Sequence, residues 1–126
     1  MKGEELLVAA LAALEDASWE VLGEGRVAFI RVFSRRLAEE LRELGHEEPE
    51  EQLKLAFDDA FNVEESNGKI VVELDDCPFC TVEKVAHVDD FVCVVVGWLE
   101  ELFDGIVYRV KKENGKCTLF VERNGR

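Results

Sequence analysis

The chain has 126 residues, enough for one domain with its own core, and 48% of them are hydrophobic. A formal net charge of −13 with acids in every segment leaves no clustered Lys and Arg surface, so nucleic acid is disfavoured as a partner. The apolar run from Leu6 to Leu14 is too short to span a bilayer and lacks the charged lead and small-residue cleavage site of a signal peptide, which makes the cytoplasm the expected compartment.

Helical periodicity opens the chain. Leu7, Leu11, Leu14 and Ser18 share a face over residues 4–22, and Gly23-Glu24-Gly25 supplies the stop. A second helix is expected from Arg26 to Leu44, with Phe29, Ile30, Phe33, Leu37 and Leu41 at helical spacing and Gly45 after it. Pro49 suits the first turn of a third helix, whose buried stripe is Leu53, Ala56, Phe57, Ala60 and Phe61.

The period then changes to 2. Residues 63–66 and 69–74 flank Asn67-Gly68, and residues 106–111 and 116–121 flank Asn114-Gly115; both dipeptides accept the positive φ angles of a tight hairpin turn. Two central turn residues pair Lys112 with Cys117 and Val110 with Leu119, and put Cys117 on one face with Tyr108, Val110, Leu119 and Val121. A fourth helix is expected between the hairpins, from about Asp90 to Asp104, with Gly105 at its end. The order helix-helix-helix, hairpin, helix, hairpin predicts an α+β fold: one domain, residues 1–126, with helices on one face of a four-stranded antiparallel sheet. Residues 1–62 form its helical part and residues 63–126 the hairpin-helix-hairpin part.

The chemistry-bearing stretch is Cys77-Pro78-Phe79-Cys80, with Cys93 and Cys117 further on. Paired cysteines in a cytoplasmic chain point to metal binding or redox chemistry before structural disulfides. A metal knuckle would turn Cys77 and Cys80 to one side, with Cys93 in the first turn of the fourth helix and Cys117 beyond the last turn completing a tetrahedral zinc site. His87, in the loop after Cys80, is the substitute ligand. The same spelling occurs in glutaredoxin active sites, which place the first cysteine at a helix N-terminus after a parallel strand; the expected architecture does not supply that setting, although a sensing dithiol on another fold stays open. Free cysteines also serve as small core residues, a reading that suits Cys93 and Cys117 better than the pair in its acidic, proline-bearing turn.

From about Ile70 to Arg123 the chain resembles the vinyl-4-reductase domain family. The residues that carry the likeness are the extended segment ending in Cys77-Pro78, the run Cys93-Val94-Val95-Val96-Gly97-Trp98-Leu99, and the closing Gly115-Lys116-Cys117-Thr118-Leu119-Phe120; Gly25 to Arg31 resembles the helix that precedes this domain. One departure is the lack of a cysteine between Val110 and Glu113, for which Cys80 is the candidate replacement. The resemblance implies a fold akin to a vesicle-tethering subunit and to haem-based gas sensors, and a stand-alone, zinc-bound module that holds a small hydrophobic molecule.

Three functions follow as expectations. The first is a binding module for an apolar ligand, stabilised by zinc on Cys77, Cys80, Cys93 and Cys117, with Phe29, Phe33, Phe91, Trp98 and Tyr108 as pocket candidates. The second is a reductase, or an accessory protein to one, acting on a tetrapyrrole-like substrate; with no Gly-x-Gly-x-x-Gly turn for a nicotinamide, an iron–sulfur cluster on the cysteines would have to carry the electrons, and direct catalysis is disfavoured. The third is an assembly protein that forms a homodimer through its first or second helix, because residues 6–14 are apolar on nearly all sides.

Overall fold

The computed structural model describes residues 3–87 and 93–124. In chain order the elements are α1 (Gly3–Leu22), a 3-10 turn (Gly23–Gly25), α2 (Arg26–Glu43), α3 (Pro49–Phe57), β1 (Phe61–Ser66), β2 (Lys69–Asp75), α4 (Pro78–Val85), α5 (Val94–Phe103), β3 (Gly105–Glu113) and β4 (Lys116–Arg123). The strands make one antiparallel sheet in the order β1-β2-β4-β3. This is the expected α+β arrangement, and no helix among the described residues is long and apolar enough to cross a membrane.

Both hairpins close as the Asn-Gly pairs dictate. Asn67 and Gly68 take φ of 53° and 78°, and Asn114 and Gly115 take 49° and 79°, so each turn has two left-handed central residues. Alternation then sorts the side chains. Ile70, Val72 and Leu74 of β2 and Cys117, Leu119 and Val121 of β4 are buried beneath the helices. Their neighbours Val71, Glu73, Thr118 and Phe120 face the other way and are only half-buried.

The main core joins both halves of the chain: Ala38, Leu53 and Phe57 from α2 and α3, the inner residues of β2 and β4, and Val95, Trp98, Leu99, Leu102 and Phe103 from α5. The α2–α5 contact is close because Gly97 lies against Ser34; a Cβ at Gly97 would stand 2.7 Å from the Ser34 Cβ. Ion pairs Arg31–Glu100 and Arg42–Glu101 bracket the same contact at 3.0 and 3.1 Å. Gln52, fully buried, answers the polar atoms that this packing traps. It accepts the Trp98 indole N–H at 2.8 Å and donates to the Ala38 and His46 carbonyls.

Four expectations need correction. The third helix ends at Phe57, so Ala60 and Phe61 of its expected stripe lie beyond it, with Phe61 opening β1, and Ala56 is exposed. The segment after Cys80, expected as loop, is the helix α4, with Cys77 at its N-cap and Pro78 in its first turn. The left-handed residue that ends α5 is Asp104, φ 50°, while Gly105 already belongs to β3, where the Glu122 backbone passes too close for any side chain. Tyr108 does not share the buried face. A register shift between Val107 and Arg109 makes it the extra residue of a β-bulge, and its ring lies 6.2 Å from that of Phe120 on the open face of the sheet. The pairs Val110–Leu119 and Lys112–Cys117 stand as expected. The start of the fourth helix near Asp90 lies outside the described residues, which resume at Cys93.

Candidate metal centre

The geometry at the cysteines begins with where β2 ends. Asp75 is paired with Lys116, so the strand delivers the chain to the turn of the second hairpin. Asp76 then takes a left-handed φ of 52° and donates its N–H to the Gly115 carbonyl at 3.2 Å. That turn points Cys77 inward, where it is 5% exposed, and starts α4. Cys117, 6% exposed, sits opposite Leu74 in the neighbouring strand. Cys93 is the N-cap of α5, and Cys80 lies in the first turn of α4 and lines a cleft of about 610 Å³ with Cys77, Glu83 and Lys112. Two helix starts and one strand thus bring the four thiols to one end of the sheet.

Their electrostatics tie them together. Burial pushes the Cys77 thiol up to about 12; the backbone N–H groups of Phe79 and Cys80 pull it down, short of a formed cap hydrogen bond, and charges on Cys80 and Cys93 push it up again. Burial likewise raises Cys93 to about 11, against the Val95 N–H and the Lys112 ammonium, with Cys117 and Cys80 adding to the rise. Cys117 is raised by burial and by Cys80, and lowered by Lys112. Each thiol is therefore within electrostatic reach of at least two others. Metal-free, Cys77, Cys93 and Cys117 are neutral at pH 7.

The surroundings fit a thiophilic cation in one respect and stop short in another. Backbone N–H groups at two helix starts lean toward sulfur, an arrangement that stabilises thiolate and adds little to a neutral thiol. As placed, no three His, Cys, Asp or Glu side chains among the described residues converge closely enough to hold a metal ion. The four thiols share a region and do not form a finished coordination sphere. Residues 88–92, which lead into Cys93, lie outside the described residues.

His87 is engaged elsewhere. Its backbone N–H donates to Asp16 at 2.8 Å, and its Nδ1 lies 3.2 Å from the other Asp16 oxygen, which fastens the segment after α4 to α1. The His87 N–H and ring together hold the Asp16 carboxyl below its ordinary range.

The aromatic candidates are not gathered into one cavity. Trp98 fills the core between Phe57 and Phe79, with ring centroids at 6.5 and 6.4 Å, on the covered side of the sheet. Tyr108 lies on the open side, Phe29 is exposed on α2, Phe33 is half-buried there, and Phe91 is outside the described residues.

Two polar features escaped the reading of the sequence. Glu15 and Arg26 form an ion pair at 3.2 Å with both side chains 2% exposed, and the second Glu15 oxygen has no partner. Lys112 reaches across from β3 to Glu83 of α4 at 2.9 Å, over the cysteine cleft. The pairing of Lys112 with Cys117 was legible, and it was the signal that could have placed this lysine at the site. No family model matches the chain, and neither the curated proteins nor the solved structures contain a significant match to it.

Proposed function

We propose that Cys77, Cys80, Cys93 and Cys117 hold one thiophilic metal ion, zinc by preference, and that the chain is a small binding module clasped by it. What supports this reading is the placement of four thiols, from β4 and the starts of α4 and α5, at one end of the sheet, two of them at helix starts whose backbone N–H groups favour thiolate. Zinc with four thiolates is a closed, tetrahedral centre that fixes the chain and has no open position for catalysis. In this chain Cys77 and Cys80 would fasten the end of β2 and the start of α4, Cys93 the start of α5, and Cys117 the start of β4. The resemblance to the vinyl-4-reductase domain supports a module of this kind and supplies the hydrophobic ligand; the separated aromatics do not add to that second part.

The test is metal content after purification without chelator or added metal. About one zinc per chain, lost in Cys77→Ser and Cys117→Ser, is the expected result. Fresh protein without metal removes the proposal.

A dithiol is the second reading, because Cys77 at the N-cap of α4 is a setting that dithiol chemistry uses. Burial of Cys77, which holds the proton on its sulfur, opposes a free reactive thiolate there. An equilibrium titration against glutathione separates the two: a metal-free chain that cycles between Cys77–Cys80 disulfide and dithiol would favour redox function.

For assembly we propose a homodimer through α1 and α2, supported by the exposed Leu7, Val21, Val27 and Val32 on those helices. Sedimentation at micromolar concentration is expected to give twice the chain mass, and the mass of one chain in Val21→Glu. A wild-type monomer ends that proposal.

A further inference from the structure

The face of the sheet that turns away from the helices carries a pattern that neither the core nor the cysteines use. An antiparallel sheet can leave such a face in water, and its charges then need no order. Here the two central rows are ordered. Read across the sheet from β1 to β3, one row is Glu64, Val71, Phe120, Arg109, and the next is Asn62, Glu73, Thr118, Lys111. Acid lies toward β1 and base toward β3, on either side of an apolar middle. The bulge adds the Tyr108 ring beside Phe120, and Ile106 follows in the next row; they are 51% and 58% exposed.

That order is self-complementary about one axis. A two-fold parallel to the strands, between β2 and β4, lays β1 of one copy over β3 of the other and reverses each row. Glu64 then meets Arg109 of the partner subunit, Val71 meets its Phe120, and Asn62 meets its Lys111. The end rows agree, since Lys69 meets Glu122 and Asp75 meets Lys116. A two-fold across the strands fails, because it sets Arg109 against Lys111 and Val71 against Glu73. The end-row charges are already neighbours within one chain, across β2 and β4, and so are satisfied either way. Glu64 and Arg109 stand three strand spacings apart, roughly 14 Å, so an ion pair between them needs a second copy.

We propose that the open face of the sheet is a two-fold contact with a second copy of this chain, separate from the α1–α2 contact. Val71, Phe120 and Tyr108 form its apolar centre, and two Glu64–Arg109 pairs set its orientation. Sheets stacked face to face at about 30° keep their central rows opposite each other. The face is small: four strands ~4.8 Å apart and seven residues long cover ~450 Å² per chain, or ~900 Å² in all. Stable dimers bury more than about 1,200 Å², so this contact forms with a dissociation constant on the order of 100 μM.

The Val21→Glu chain isolates this face from the α1–α2 contact, and Val21 is exposed enough to change without disturbing the core. Sedimentation equilibrium from about 10 μM to about 1 mM is expected to show this chain passing from monomer to dimer. In that background Glu64→Arg and Arg109→Glu each place like charges at both symmetric contacts, and each is expected to weaken association at least ~10-fold. The double variant restores the pair with its signs exchanged and is expected to return to within about threefold of the parent. Urea midpoints of all three at low concentration are expected to match the parent. A parent that stays monomeric throughout overturns the inference and leaves the face to water or to a different partner. Single reversals that associate as tightly as the parent also overturn it, as does a double variant as weak as the singles. None of those results touches the metal reading or the α1–α2 dimer, which a wild-type monomer at micromolar concentration removes by itself.

Discussion

Loading the cysteine centre at pH 7 is expected to release at least three protons. Burial holds Cys77 up to about 12 and Cys93 up to about 11, and raises Cys117 as well, so all three are neutral thiols before the ion arrives. A metal takes thiolate, so each of these sulfurs must give up its proton to ligate. The affinity then depends steeply on pH. Every displaced proton changes the apparent constant about tenfold per pH unit, or ~1.4 kcal/mol, so three of them make about a thousandfold between pH 7 and pH 6. The sign is fixed by the direction of the thiol shifts: binding strengthens as pH rises, and acid releases the ion. Calorimetric titration with zinc in buffers of differing ionisation enthalpy counts the protons directly. Tight binding with one proton released, or none, would mean that these three sulfurs are not the ligands, or that their burial is not as described.

Glu15 should leave a separate mark on stability. Burial, opposed by Arg26 and aided by Asp16, raises its carboxyl from 4.5 to about 7, so the folded chain holds this proton more tightly than the unfolded one. Its contribution is most favourable below pH 4.5 and is lost as pH rises toward about 7, a swing of ~1–3 kcal/mol. Urea unfolding from pH 5 to 8 is expected to show that decline in the wild type and a flatter profile in Glu15→Gln; identical slopes would contradict it. Gly97→Val should destabilise the chain by ~1–3 kcal/mol, because the new side chain must displace Ser34 across the α2–α5 contact. An unchanged denaturation midpoint would show that the two helices can part without cost. Gln52→Leu leaves the buried Trp98 N–H without its acceptor, at ~1–3 kcal/mol, and a neutral result would point to water at that indole.

What could be read in advance follows the physics of each element. Both hairpins were legible because Asn-Gly is one of the few dipeptides that takes two left-handed residues at little cost, and the Lys112–Cys117 pairing followed from that turn alone. The main helices were legible from periodic apolar faces. Helix α4 was not, because Cys77-Pro78-Phe79-Cys80 reads equally as a metal knuckle, and eight residues carry too little periodicity to decide. Pro78 after a residue that can cap was the available signal. The bulge at Tyr108 had none: a register shift moves one side chain across the sheet while the apolar alternation looks intact. The buried Gln52, Glu15 and Arg26 escaped for a related reason, since a polar residue is expected outside unless its partner, distant in sequence, is already known.

Residue types and spacing singled out four cysteines that the fold carries to one end of the sheet, though no three of them converge as placed, and the position of each was not legible. Cys93 as an N-cap depends on where α5 begins, and Lys112 joined the site only when α4 placed Glu83 beside it. His87 illustrates the converse. As the histidine nearest Cys80 it was an apt substitute ligand, yet Asp16 from α1, far away in the chain, holds its backbone N–H and its ring Nδ1.

The central claim is that sulfur from Cys77, Cys80, Cys93 and Cys117 surrounds one ion. X-ray absorption at the zinc edge of the purified chain tests it most directly. The account predicts a first shell of about four sulfur atoms near 2.3 Å and no nitrogen or oxygen. A shell dominated by nitrogen or oxygen near 2.0–2.1 Å would contradict it.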